Sequence, residues 1–467
     1  MTELITFLED HWKKIKKLEV REHNEVPNRK RDQLKRDYAR VIYSTSFRRQ
    51  QGKMQLFEVN SKAFHRNRLT HSFEVSQIAH GIVDELKKKV EKEIKAKFKN
   101  ADIKNQKKIE ENFSKMSIVV ETGSLIHDVG NPPFGHHGER VLNDLAPDVG
   151  FEGNAQGIRV LRKIEKKFPQ SSGLNLTYRT LAAIIKYFVP YDKGKKKFLY
   201  RDDYDELSES LKDVCNNKDL PFRTIDVQIV DLADEIAYCA HDLEDALASN
   251  YFTIDEFIFR LENIEDNELN IKSKKAFNTW VRNAKTFAKK KGDKGLQSED
   301  YDFYFRRELI SIIVNKLIED IGVIQVSPEF QSKTGTMNKE ELGFKNYEDL
   351  AEALKTTIFK CVTSSDNIML YERVGTKILT KLFELFMNDE YNKDGMLMPI
   401  EYRWNREDNE NKEVKSRKVL DYISGMMDTY AIEVYMKHFG EDPFNVKYVR
   451  EIFSSPKKYR LRKKNIE

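Results

Sequence analysis

Residues 227–247 read VQIVDLADEIAYCAHDLEDAL, twenty-one positions without a glycine or a proline. The pattern is helical throughout, so the stretch is predicted to be one long helix. Asp234, Tyr238 and Asp242 fall at i, i+4 and i+8 and share one stripe of it. Two acids and a phenol make poor core material, so the stripe points to chemistry. Asp231, Glu235 and Asp245 lie partly off it. From spacing alone, Asp231 serves as a metal ligand as well as Asp234 does.

The neighbouring segments also read as helix. Residues 72–90 repeat Phe73, Ile78, Ala79, Ile82, Val83 and Leu86 at helical spacing. The run MSIVVETGSLI ends at Ile126, just before His127 and Asp128. Residues 177–188, TYRTLAAIIKYF, read as a buried helix, and 311–324 and 373–387 as core helices. There is no series of alternating strands and no internal repeat. The fold class expected is all-α. The charged stretch 87–115 reads as a solvated helical hairpin or loop. Residues 289–300, 331–346 and 404–418 read as loops, and the C-terminal KKYRLRKKNIE as a basic tail.

Composition narrows the classes. Of 467 residues, 39% are hydrophobic, enough for a sizeable core. The net charge is only +5, from 81 basic and 76 acidic residues, which argues against a dedicated nucleic-acid coat. Cys215, Cys239 and Cys361 are odd in number and far apart, unlike a disulfide scaffold or a CxxC zinc site. The first residues, MTELITFLEDHWKK, carry acids where a signal peptide carries bases. No apolar run approaches the roughly 20 residues needed to span a bilayer. A cytoplasmic protein with no membrane partner is expected.

Six of the ten histidines, at 65, 71, 80, 127, 136 and 137, fall within residues 65–137. His71 follows RNRLT, and His127 and Asp128 are adjacent. Together with an acid of the 227–247 helix they make a mixed nitrogen and oxygen set. Such a set suits Mn²⁺, Mg²⁺, Fe²⁺ or Co²⁺ better than a closed structural zinc. Four protein ligands leave positions open for water and a phosphate oxygen. The next residues, VGNPPFGHHGE, must end the helix at Gly130, Pro132 and Pro133. The loop then offers His136 or His137 with Glu139 close behind, a general acid/base arrangement.

The segments RNRLTHSFEV, LIHDVGNPPFGHHGE and DLADEIAYCAHDLEDA resemble the bacterial HD-domain deoxyguanosinetriphosphate triphosphohydrolases. A mammalian dNTP hydrolase that joins a SAM and an HD domain is related. SFRRQQGKMQLF upstream and DYISGMMDTYA downstream resemble the same family, so the likeness spans about residues 40–435. It implies an HD-domain helical core with additional C-terminal helices. It implies His71, His127, Asp128 and Asp234 as metal ligands, which favours Asp234 over Asp231. It implies His136 as the catalytic histidine and Glu139 as its partner. Gln55, Arg68, Lys186, Tyr187, Tyr238 and Asp242 are then substrate contacts, with Asp242 at the 3′-hydroxyl. His137 stands as a supporting candidate. The domains expected are an N-terminal helical segment at 1–60, the catalytic core at 61–250 and a C-terminal helical region at 251–467.

The activity implied is cleavage of a dNTP, with dGTP preferred, to deoxynucleoside and inorganic triphosphate. A homo-oligomer, hexameric or tetrameric, is implied too, with single-stranded DNA as a modulator. The rival readings are an HD-type phosphodiesterase, a guanosine tetraphosphate hydrolase, and a nucleotide or nucleic-acid sensor with an inactive site.

Overall fold

The computed structural model describes residues 3–23, 25, 32–56, 65–97, 103–169, 171–215, 223–263, 269–290, 298–363, 365–405 and 411–444. Among them are eighteen α-helices and two small antiparallel pairs of strands, an all-α architecture. No described helix is long and apolar enough to cross a membrane. The basic tail and most of the 289–300 loop lie outside the described residues.

The helix Ile225–Ala248 is the axis of the molecule. Thr224 caps it, its side chain accepting from the Val227 N–H. Val230, Ala233, Ile236, Ala237, Ala240 and Leu243 are fully buried. Burying each larger apolar side chain stabilises the fold by about 1.5–3 kcal/mol. The helices Arg68–Lys97, Ile103–Ile126, Ser298–Asp320 and Glu348–Thr363 all pack against this axis. A helix surrounded in this way is apolar on nearly every side. Several polar residues interrupt its apolar surface, and among them the stripe Asp234–Tyr238–Asp242 faces a cavity.

Helices 68–97 and 103–126 also pack along each other, so residues 87–97 and 103–115 of the charged stretch are helical, and residues 98–102 lie outside the described residues. A second core gathers further along the chain. There the helix Asp366–Met387 packs on Gly135–Leu145, Lys412–Ser424 and Asp428–Phe439. This core braces the helix that follows the glycine-proline loop.

Four expectations are corrected. The helix predicted at 177–188 covers only Tyr178–Ala182. The Phe188 N–H instead donates to the Thr334 carbonyl, and Pro190 disfavours helix at the preceding residue. The stretch from 311 is helical only to Asp320; Ile321–Gln325 is a strand paired antiparallel with Glu340–Phe344. That strand lies inside 331–346, which the sequence presents as a loop. Ile321 and Val323 of the first strand and Phe344 of the second gain more from pairing and burial than from helix. Lastly, 404–418 holds the start of a helix, Lys412–Ser424, capped by Asn411.

A buried ionic cluster ties the start of helix 68–97 to the end of the axis. Arg66 bonds Glu74, Glu244 and Asp245, and His241 Nδ1 lies 3.2 Å from Glu74. Burial opposes ionisation of Glu74, but His241 and Arg66 outweigh it and bring its pKa from 4.5 down to about 2. A carboxylate depressed on folding stabilises fully above its unfolded pKa and loses that contribution as pH falls through the folded one. Glu74→Gln is therefore expected to flatten the fall of Tm between pH 4.5 and about 2. An unchanged slope in a thermal melt series would remove Glu74 from the account of acid stability.

Candidate metal centre and active site

Three helices deliver the central residues. Asn67 caps helix 68–97, its Oδ1 accepting from the Thr70 N–H at 3.0 Å, and this turn carries His71. His127 and Asp128 leave the end of helix 103–126, and Asp234 projects from the axis. The ligand atoms of His71, His127 and Asp128 lie within 4.8 Å of one another. Asp234 Oδ1 is 3.1 Å from His71 Nε2 and 3.4 Å from His127 Nε2. All four are brought together. Asp231 turns away to Lys186 and Arg223, each at 3.0 Å.

The donor set fits a divalent cation. His127 Nδ1 lies 2.7 Å from the Ser124 carbonyl and so carries the proton. Its Nε2 atom is buried, without a hydrogen-bond partner, and faces carboxylate oxygens. A ring partner that fixes the tautomer is the usual support of a metal-binding histidine. Burial opposes ionisation of Asp128 and Asp234, yet both are held well below the usual carboxylate range. His127 and Arg68 do this for Asp128, and Lys186 and His127 for Asp234. The acids also have outer partners. Lys186 Nζ holds Asp234 Oδ2 at 2.7 Å, leaving Oδ1 for the histidines. Asn131 Nδ2 donates to Asp128 Oδ1 at 2.6 Å, and Arg68 pairs with Oδ2.

The loop after Asp128 passes very close to the helix Gly153–Arg159. A Cβ on Gly130 would sit 2.1 Å from the Gly153 carbonyl oxygen, so only glycine fits. Phe134 and Gly135 both adopt positive φ, 62° and 59°. The helix Gly135–Leu145 then sets His136 at the cavity. His136 Nδ1 lies 3.3 Å from Glu139 Oε2, and His136 Nε2 lies 3.5 Å from the Tyr238 hydroxyl. Burial opposes ionisation of Glu139, but His136 and Lys197 bring its pKa down to about 2. It therefore stays anionic at neutral pH and orients the imidazole. His137 points elsewhere, 2.6 Å from the Thr376 hydroxyl, and is kept neutral by burial and Arg140.

A cavity of about 640 Å³ opens on these groups, within the range of nucleotide-sized sites. Gln55, Lys186, Tyr187, Tyr238 and Asp242 line it. Gln55 Oε1 and Asp242 Oδ1 are buried without hydrogen-bond partners, as groups awaiting a ligand hydroxyl would be. Burial and Asp245 push the Asp242 carboxyl well above its ordinary pKa. Arg68 does not line the cavity; it lies fully buried behind Asp128.

Lys197 is one wall residue that sequence reasoning missed. Its Nζ lies 2.6 Å from Glu152 Oε1 and 3.4 Å from Glu139 Oε1. It ends the run DKGKKK, which reads as solvated surface, so no signal separated it from its neighbours.

Histidine and aspartate converging from three helices define an HD-domain phosphohydrolase, and the comparisons agree. The HD domain model matches residues 68–239, and the phosphohydrolase-associated domain matches 345–437. Deoxyguanosinetriphosphate triphosphohydrolase-like protein 2 of Vibrio cholerae serotype O1 is 43% identical over 447 residues, covering 94% of this chain and 97% of that one. A deoxyguanosinetriphosphate triphosphohydrolase-like protein of Shewanella sediminis is 30% identical, over 88% of this chain and 93% of its own. The chain belongs to the deoxyguanosinetriphosphate triphosphohydrolase-like family of HD-domain hydrolases.

Proposed function

We propose that the chain hydrolyses deoxynucleoside triphosphates, dGTP foremost, to the deoxynucleoside and inorganic triphosphate. The observation that carries this is one cavity lined by His127, Asp128 and Asp234 of the cation cluster, the His136–Glu139 pair, and unpartnered Gln55 and Asp242. The names of the relatives support the same substrate class.

His71, His127, Asp128 and Asp234 would hold a divalent ion, Mn²⁺ or Mg²⁺, which when bound would supply Lewis-acid polarisation of the phosphate. Lys186 offsets phosphate charge and the neutral Tyr187 hydroxyl donates a hydrogen bond beside it, with Arg68 adding positive charge behind Asp128. Asp242 and Gln55 take the sugar hydroxyl and ring face. Water's oxygen joins the α-phosphorus as the bond to the 5′-oxygen breaks. The departing 5′-oxygen needs a proton, and His136 Nε2 is placed to give it while Glu139 steadies Nδ1. Triphosphate leaves intact.

Around this activity we place a homo-oligomer, hexamer or tetramer, in the cytoplasm. Single-stranded DNA is its modulator, drawn to basic surface. The helix Ile271–Ala288 offers such surface, with Lys272, Lys274, Lys275, Arg282 and Lys285 and no acid.

Incubation of the purified protein with each dNTP and Mn²⁺ or Mg²⁺ tests the reading. Inorganic triphosphate and deoxynucleoside in equal amounts are expected, fastest with dGTP. Pyrophosphate from guanosine tetraphosphate, or nucleotide monoester from a diester, with no triphosphate from any dNTP, would replace it by one of the rival HD activities.

A further inference from the structure

Two segments, residues 46–56, which carry Gln55 of the cavity, and residues 421–431, meet at the back of the glycine-proline loop. Asp428 is 1% exposed. Its Oδ1 accepts from the Phe134 N–H at 3.2 Å, across 294 residues of chain. Its Oδ2 accepts from the Met54 N–H at 3.0 Å and from the Tyr371 hydroxyl at 3.2 Å. Lys53, equally buried, donates from Nζ to the Asn131 carbonyl at 2.5 Å and the Ser424 carbonyl at 2.7 Å. The two segments abut closely: a Cβ on Gly52 would lie 2.5 Å from Met427 Sδ.

We infer that Asp428 is a positioning residue, which with Lys53 clamps the main chain of residues 131–134 and so sets where His136 stands.

The reasons are local. Phe134 is a bulky residue with a left-handed backbone, a conformation that persists only when its surroundings impose it. It is also the N-cap of helix Gly135–Leu145 and has no side-chain cap of its own. Asp428 supplies from outside the acceptor that the Phe134 amide needs. His136 follows two residues later. On the other carboxylate oxygen hangs Met54, whose neighbour Gln55 lines the cavity. One buried carboxyl group thus fixes both walls of the site from a region remote in sequence. A purely packing role calls for apolar groups here. Instead, two ionisable side chains spend their hydrogen bonds on this loop and its neighbours, although burial pushes the Lys53 ammonium down to about 7 and the Asp428 carboxyl up, and buried polar groups of this kind are retained only where such bonds compensate them. The inference rests on the proposed function only for what His136 does.

Asp428→Asn keeps the shape but leaves one oxygen to serve two backbone donors. The expected result is a fall in kcat of about tenfold or more, with KM and Mn²⁺ affinity within about threefold, the pattern of a lost transition-state geometry. Amide exchange at Phe134 and Met54 should quicken about tenfold, while the Ile225–Ala248 helix keeps its protection. Unchanged exchange with kcat within about twofold overturns the inference, as does an equal loss of Mn²⁺ binding, which marks general damage. If the variant loses its melting transition, Lys53→Met poses the same question from the other side of the loop and must show the same split between kcat and KM. If the wild-type protein turns over no dNTP, the functional proposal fails, while amide exchange still decides the clamp.

Discussion

Asp234→Ala is expected to empty the centre of its metal and to lower kcat/KM by about 10³-fold, near 4 kcal/mol of barrier. The size follows from what Asp234 does. Its Oδ1 faces both imidazoles at 3.1 and 3.4 Å, so it closes the cluster between helices 68–97 and 103–126. Its Oδ2 also anchors Lys186 at 2.7 Å, a group assigned to phosphate charge. The variant loses both at once. Lys186 retains Asp231, so the fold should survive and the circular dichroism spectrum should match wild type. Metal content after Mn²⁺ loading and desalting, with triphosphate release, is the measurement. Full Mn²⁺ uptake with activity within tenfold of wild type would show that the cation site lies elsewhere.

The second large effect is expected at His136. His136→Ala should slow turnover by about 10²–10⁴-fold, the usual contribution of a positioned acid or base. Metal content should stay at the wild-type level, because His136 touches Glu139 and Tyr238 and none of the four ligands. The identity of the step can be read from the substrate. With an aryl triphosphate, whose phenolate leaves without help, the loss should shrink sharply if His136 donates the proton. An equally large loss with both substrates would assign the histidine to activating water instead. Wild-type turnover on a dNTP would end the assignment.

The parts of this molecule that could be read in the sequence are those whose constraints are local. A helix without glycine or proline shows itself at 227–247, and so does a loop that only Gly130, Pro132 and Pro133 can shape. The choice of Asp234 over Asp231 was not local. It depended on which carboxylate meets the histidines, and the fold answers by giving Asp231 to Lys186 and Arg223. The strand at Ile321–Gln325 was hidden for a similar reason, since its apolar residues suit a helix until a partner strand arrives from 340–344. Lys53, Lys197 and Asp428 were hidden more deeply. Their partners are backbone amides, carbonyls and acids up to 374 residues away, and no spacing rule records such bonds.

The stripe on the axial helix carries one more implication. Asp234 and Asp242 are eight residues apart on a rod rising about 1.5 Å per residue, a gauge of about 12 Å. Rigid walls of packed helices on nearly all sides keep that gauge from stretching. If Asp234 and Asp242 hold the phosphate and sugar ends as proposed, substrates would be graded by the distance between a phosphorus atom and a sugar oxygen before any base is inspected. Molecules with a longer or shorter reach would seat at one end and miss the other.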